Sequence, residues 1–461
     1  MHRPLLWIAL VALLAAAPAR AQARPDVSQL DARPLSPSVR DALVYEVFPR
    51  AFSVRGDLNG VTARLDELRD LGVTLVWLMP VHEISALKRK GTLGSPYAAR
   101  DYYSIDPALG TAEDLKRLVR EAHARGLKVI LDVALNHTGW DSVLMRRPSF
   151  YTHDAQGRIV PPVPDWADVA DLNYDQPELR AYMTRLLLHW LREFELDGFR
   201  CDVAFMVPTD FWEPARAALE QVKPDVILLA EAAEPDLLVK AFDFDYAWPF
   251  HAALTDVLQG RAPASELRAV WERERARFPK GARHMLFSDN HDERRAIGRF
   301  GEGAALLASA LVFTLDGVPM LYNGMEVGDT TESGAPALFE RLPIFWPVAE
   351  RRARFRPFYQ ALAALRREHP ALRQGDVVWL HNSDEARIAT FARRGAGEDL
   401  LVALNLSNRP FVGMVEAAGG EGLIEITPAA VRAAAADLPA ALPALSLEAW
   451  GVRVFRRARP Q

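Results

Sequence analysis

The sequence predicts an α/β chain: a (β/α)8 TIM barrel with a short insertion after strand three, followed by a C-terminal antiparallel β-sandwich domain. Three observations carry this. Between residues 38 and 370, short apolar runs alternate with amphipathic helical stretches, the pattern of parallel strands joined by crossover helices. Polar and charged residues gather where those runs stop. Over residues 371–461 the texture changes to short alternating runs between turn residues, as in a sandwich. A length of 461 residues fits a barrel of about 250 residues or more with a smaller domain attached.

In chain order, His2 and Arg3 precede an apolar run over residues 5–17, and Ala19-Arg20-Ala21 then supplies a small-x-small cleavage signal. Residues 1–21 are therefore expected to be a secretory signal peptide, cleaved after Ala21. Residues 44–48 read as the first strand, and residues 61–71 as a helix with Leu65, Leu68 and Leu71 on one stripe. VTLVWLMPV (73–81) is apolar enough to be buried on both faces, and Pro80 ends it. Thr111 and Asp114 open a helix that carries Leu115, Leu118, Val119 and Ala122 and stops near Gly126. The third strand lies in LKVILDVALNH (127–137). Periodicity then fails over residues 138–177, too long a loop for an ordinary barrel connection and so a small inserted domain shaping a binding site. A helix follows over 178–194, with Tyr182, Leu186 and Trp190 spaced by four. LDGFRCDVA (196–204) is strand four, VILLAE (226–231) strand five, 242–246 strand six, 284–289 strand seven and 318–322 strand eight. Beyond a helix over 358–368, strands are expected at 376–380, 387–392, 400–406, 411–415, 423–426 and 452–455, with an Ala-rich patch at 429–436.

Half of the residues are hydrophobic, a quarter are charged and the formal net charge is −5, an ordinary soluble composition. That charge gives no reason to expect nucleic acid or, after signal cleavage, a membrane as partner. Nothing in it sets an oligomeric state. Cys201 is the single cysteine, so no intramolecular disulfide forms, which suits export to a periplasm.

The chemistry gathers at the strand ends. Strand three ends with Asp132, Asn136 and His137, strand four with Arg200 and Asp202, strand five with Glu231, and strand seven with Asp289, Asn290, His291 and Asp292. A barrel brings such residues together at its C-terminal face. Alternation along strand four puts Arg200 and Asp202 on one side and Cys201 on the other. These carboxylates and histidines are poor for zinc, and no Gly-rich phosphate cradle is present. One ionised and one protonated carboxylate acting on a neutral polar substrate is what remains, and glycosidic cleavage is its commonest form. Glu231, emerging from apolar VILLA, is the better acid. Asp202 is the better nucleophile, because the Arg200 cation favours its ionised form.

DVALNH (132–137), GFRCDVA (198–204), LLAEA (228–232) and FSDNHD (287–292) resemble, in this order, the four signature regions of glycoside hydrolase family 13, the alpha-amylase family. The resemblance extends to VYEVFPRAF from Val44, GVTLVWLMPV, SPYAARDYY (95–103) and GVPMLYNGME (317–326). It implies that Asp202 is the nucleophile, Glu231 the general acid/base and Asp292 the transition-state stabiliser, and that Tyr97, His137, Arg200 and His291 line the sugar subsite nearest the cut. It implies, too, retention of anomeric configuration through a covalent intermediate. An exported hydrolase of alpha-glucans, most simply alpha-1,4-linked maltooligosaccharides, is the expected activity. A transglycosylase, an alpha-1,6-acting glucosidase or a non-catalytic sugar binder on the same scaffold are the alternatives. Two features depart from the family pattern. Phe205 and Met206 stand where many members have Lys-His, and VADLNYD around Asp171 fits neither common version of a fifth region. No cofactor is required by the resemblance, and a calcium ion is left open, with Asn136 and Asp171 as candidate ligands. Trp140, Trp166, Phe205 and Trp212 are candidates to stack on sugar rings.

Overall fold

A computed structural model describes residues 24–395, 397–416, 422–432 and 442–458. The signal-peptide segment 1–21 and part of the Ala-rich patch lie outside the described residues. Eight parallel strands close into a ring: β1 (Val44–Val47), β2 (Leu75–Leu78), β3 (Lys128–Val133), β4 (Gly198–Cys201), β5 (Ile227–Ala230), β6 (Phe244–Tyr246), β7 (His284–Leu286) and β8 (Val318–Tyr322). β8 returns to β1 with Met320 opposite Val44, so the barrel has no edge. The strands are continuous apolar runs because both faces are covered: β1, β2, β4, β5 and β8 are buried at every position. At the start of β4, Gly198 has φ 154°, and a Cβ there would lie 1.8 Å from the Ile227 carbonyl oxygen of β5. Only glycine allows strand four to approach strand five so closely.

The helices start and stop where capping chemistry places them. Thr111 and Asp114 form a reciprocal capping box on Ala112–Ala124, and Gly72, at φ 97°, closes Leu65–Leu71. The stretch 61–71 is two pieces, Leu58–Thr62 and Leu65–Leu71, since Asp57 caps a separate turn through the Gly60 amide.

Several strands are shorter than expected. β3 stops at Val133, and His137–Gly139 forms a separate antiparallel ladder with Val169–Asp171 inside the 138–177 excursion. β4, β5 and β7 likewise end before their polar residues, which therefore sit on the loops above the ring. A hairpin, His82–Ile84 against Ala99–Ile105, follows β2 and delivers Tyr97.

The C-terminal domain is two-layered. A five-stranded antiparallel sheet, β9 (Asp376–Trp379), β10 (Ile388–Gly395), β11 (Glu398–Asn405), β12 (Ile424–Glu425) and β13 (Val452–Ala458), runs in the order β9-β10-β11-β13-β12. A two-stranded ribbon, Phe411–Met414 with Ala444–Leu447, covers its outer face, and the second of these strands was not expected. Alternation decides which face is which: Phe391, Leu400, Val402, Leu404 and Val454 join the barrel's core, while Leu401, Ala403 and Phe455 pack on the ribbon. Arg393 is fully buried at this junction and donates to the carbonyls of Thr314 and Gly375 at 2.9 Å each.

Candidate active site

Arg200 is the centre of the barrel mouth and has no exposed surface. It lies opposite Asp132 in the β3–β4 register, and its Nη1 donates to the Asp132 carboxylate at 2.8 and 3.0 Å and to Asp202 at 2.8 Å. Its Nη2 is paired with Glu231 Oε2 at 2.8 Å, and its Nε donates to the Tyr246 hydroxyl at 3.1 Å. The guanidinium thus serves three carboxylates, where the sequence suggested one. Rings enclose it, with Trp77 5.0 Å and Tyr246 5.6 Å from its central carbon.

Sharing of the cation changes the charge assignment made from sequence. Burial and the neighbouring Glu231 push Asp202 well above the ordinary carboxylate value, against the pull of Arg200. Glu231 is also pushed up by burial, but Arg200 and the Val203 amide bring it below its ordinary value. The two carboxyls share one cation and each shifts the other's ionisation, so they titrate together. In the ligand-free site these surroundings push Asp202 toward its neutral form, where Arg200 alone would favour the ionised one.

The amide of Val203 donates to Glu231 Oε2 at 2.8 Å. It can do so because Val203 takes the left-handed conformation, φ 36°, which a β-branched residue adopts at a cost of about 1–3 kcal/mol. Sequence reasoning missed this residue, which carries no signal beyond its place after Asp202.

Asp292 stands across the mouth. Asn290 Oδ1 accepts the amides of Asp292 and Glu293, both at 3.1 Å, and so shapes the loop. Asp292 is pushed up by burial against the pull of His291, whose Nε2 lies 3.3 Å from its carboxylate. Tyr97, from the hairpin, meets His291 Nε2 at 2.9 Å and donates to Asp132 at 3.0 Å. His137 is buried beside Trp166 and Asp168, neither ring nitrogen has a side-chain partner, and burial lowers it to about 4, so it is a neutral ring. All seven residues singled out for catalysis and binding therefore gather at the C-terminal end of the barrel. Asp289 does not join them: its carboxylate accepts the Ala296 amide at 3.1 Å and shapes the following turn.

Asn136 keeps one orphaned oxygen, but its amide nitrogen donates to the thioether of Met206 at 3.4 Å, a soft donor unsuited to calcium. Asp171 sits opposite His137 in the excursion ladder, pushed up to about 6 by burial. Among the described residues no group of three or more His, Cys, Asp or Glu side chains is placed to hold a metal. Of the aromatic candidates, Trp212 is core, donating to the Ala204 carbonyl at 3.0 Å, and Lys88 covers the ring of Trp140 at 3.4 Å. Trp166 and Phe205 remain part-exposed.

Residues 29–152 and 164–374, which hold this whole constellation, match the family model for the alpha-amylase catalytic domain. The chain belongs to the alpha-amylase family. This is a family of glycoside hydrolases, acting on O-glycosyl bonds. The chain is 29% identical over 403 residues to the alpha-amylase MalA of Haloarcula japonica, covering 83% of this chain and 58% of that relative. It is 29% identical to a cyclomaltodextrinase of Geobacillus thermopakistaniensis over 80% of this chain and 69% of the relative. An alpha-amylase structure from Lactobacillus plantarum superposes with a TM-score of 0.81 at 32% identity, over 91% of this chain and all of the other. The alpha-amylase fold is thus present with its barrel and C-terminal sheet domain.

Proposed function

We propose that the mature protein is an exported alpha-glucan hydrolase that cleaves alpha-1,4 bonds of maltooligosaccharides by double displacement. The observation that carries this is the Asp202–Arg200–Glu231 cluster. Each carboxylate lies 2.8 Å from a nitrogen of the same guanidinium, which draws the two to one spot as the close pair of a retaining enzyme requires. Asp202 then attacks the anomeric carbon while Glu231 protonates the leaving oxygen. Glu231 Oε2 is occupied by the Val203 amide and Arg200, so the transferred proton rides on Oε1. Sugar entering the mouth shifts the balance between the two so that Glu231 carries the proton and Asp202 is ionised, which arms nucleophile and acid together. Asp292 offsets charge developing at the anomeric carbon. His137, Tyr97 and His291 hold the sugar hydroxyls. Water then enters against the covalent intermediate, with Glu231 as base.

Export is supported by residues 1–21. The function itself is tested with maltoheptaose, following products by chromatography and proton NMR. Shorter chains appearing first as alpha anomers support the proposal. Longer chains would indicate transfer, and no change a binding protein.

A further inference from the structure

Glu46 is a charged residue in the middle of the apolar run of β1, and its side chain has no exposed surface. One carboxylate oxygen meets His291 Nδ1, and the other is buried with no hydrogen-bond partner. A buried carboxylate left half-satisfied costs stability, and a neutral Gln of the same shape would cost less. The charge therefore has a use beyond holding the strand.

Hydrogen-bond direction shows what that use is. Asp132, an acceptor of Trp77 Nε1 at 3.1 Å and of Arg200, also takes the Tyr97 hydroxyl proton at 3.0 Å. The Tyr97 oxygen must then accept from His291 Nε2, 2.9 Å away. Burial pushes Glu46 up against the pull of His291 and Arg200, and in the ionised form that this pull favours it can only accept from Nδ1. Both ring nitrogens are donors, so the ring is a cation, and its Nε2–H faces Asp292 at 3.3 Å. We propose that Glu46 is a positioning residue for the reaction, holding His291 as an imidazolium so that Asp292 stays ionised when positive charge develops on the sugar.

The charges around this pair are mixed. Arg200 from β4 opposes the imidazolium, while Asp132 from β3 and Asp292 on the β7 loop favour it together with Glu46. Tyr246 and Tyr322 face Glu46 as neutral phenols, since burial pushes both up. Although burial opposes charge on His291, Asp292 and Glu46 raise it to about 9.

The inference rests on the role proposed above for Asp292, and the test separates the two. In the unaltered enzyme, proton–nitrogen NMR of the His291 ring should find both nitrogens protonated at pH 7. A neutral ring at that pH would overturn the proposal. In Glu46→Gln the His291 titration should fall by at least one pH unit. The variant's kcat on maltoheptaose, taken as a fraction of the parent's at each pH, should be within about threefold in acid and fall tenfold or more once the ring deprotonates. An equal loss at every pH, or an unchanged His291 titration, would make Glu46 merely structural and refute the proposal. Failure of the parent to cleave glucans would refute the function above, while the ring titration still decides the Glu46–His291 link.

Discussion

Arg200 contacts Asp132, Asp202 and Glu231 at once, and this sharing is what a side chain in the middle of a barrel mouth can do and a surface pair cannot. Alternation along LDGFRCDVA correctly places Arg200 beside Asp202. It is silent on the partners that β3 and β5 bring to the same guanidinium, which is why the push of burial and Glu231 on Asp202 could not be read from sequence. Asp202→Asn keeps the shape of the site and removes the carboxylate proposed as nucleophile. Its kcat on maltooligosaccharides should drop by several orders of magnitude with binding retained, as read by steady-state kinetics and calorimetric titration. Turnover near the parent's would refute the assignment.

Asp197, at the base of β4, ties strand to helix. It accepts from His123 Nε2 and the Val129 amide, both at 2.8 Å, and pairs with Lys128 and Lys223 at 3.2 and 3.1 Å. Burial raises this carboxyl, but His123, the amide and the lysines hold it well below its ordinary value of 3.8. A depressed carboxylate adds stability above its unfolded value, and that stability is lost as pH falls. Asp197→Asn should accordingly cost about 2 kcal/mol in urea unfolding at pH 7 and less at pH 3. An equal cost at both would contradict the charge argument. At this scale all eight barrel strands were legible, since each is an apolar run between turn signals. Their ends were not: Asp202, Glu231 and 287–289 follow the apolar runs without a break in hydrogen-bonding residue types, and only the closing of the ring shows where pairing stops. The hairpin carrying Tyr97 and the ladder at His137–Gly139 were hidden for a similar reason, being three to seven residues long with little alternation. Glu46 did leave a trace, as a lone charge in VYEV.

Over the whole molecule, the helix Glu302–Thr314 is buried on every side from Ala304 onwards. A helix so enclosed needs cover from two directions, here the barrel and the C-terminal sheet. Arg366 adds to the join, donating to the carbonyls of Phe313 at 3.2 Å and Gly317 at 2.5 Å. A chain ending at Gln374 exposes this surface and should collect in inclusion bodies, or unfold at least 10 °C below the full chain if soluble. Equal melting temperatures would show the barrel to be self-sufficient. The N-terminal arm also spans the molecule. Arg33 pairs with Glu220 and Asp243 along the barrel wall, while Arg24 reaches Asp236 at 2.7 Å and the Phe205 carbonyl at 3.0 Å beside the nucleophile loop. The whole account turns on a covalent bond to Asp202, and the most direct measurement is peptide mass mapping of Glu231→Gln after incubation with alpha-maltosyl fluoride, whose leaving group needs no acid. One maltosyl adduct on the peptide containing Asp202 is the predicted result. An unmodified protein that nonetheless releases fluoride, or an adduct on another carboxylate, would contradict it.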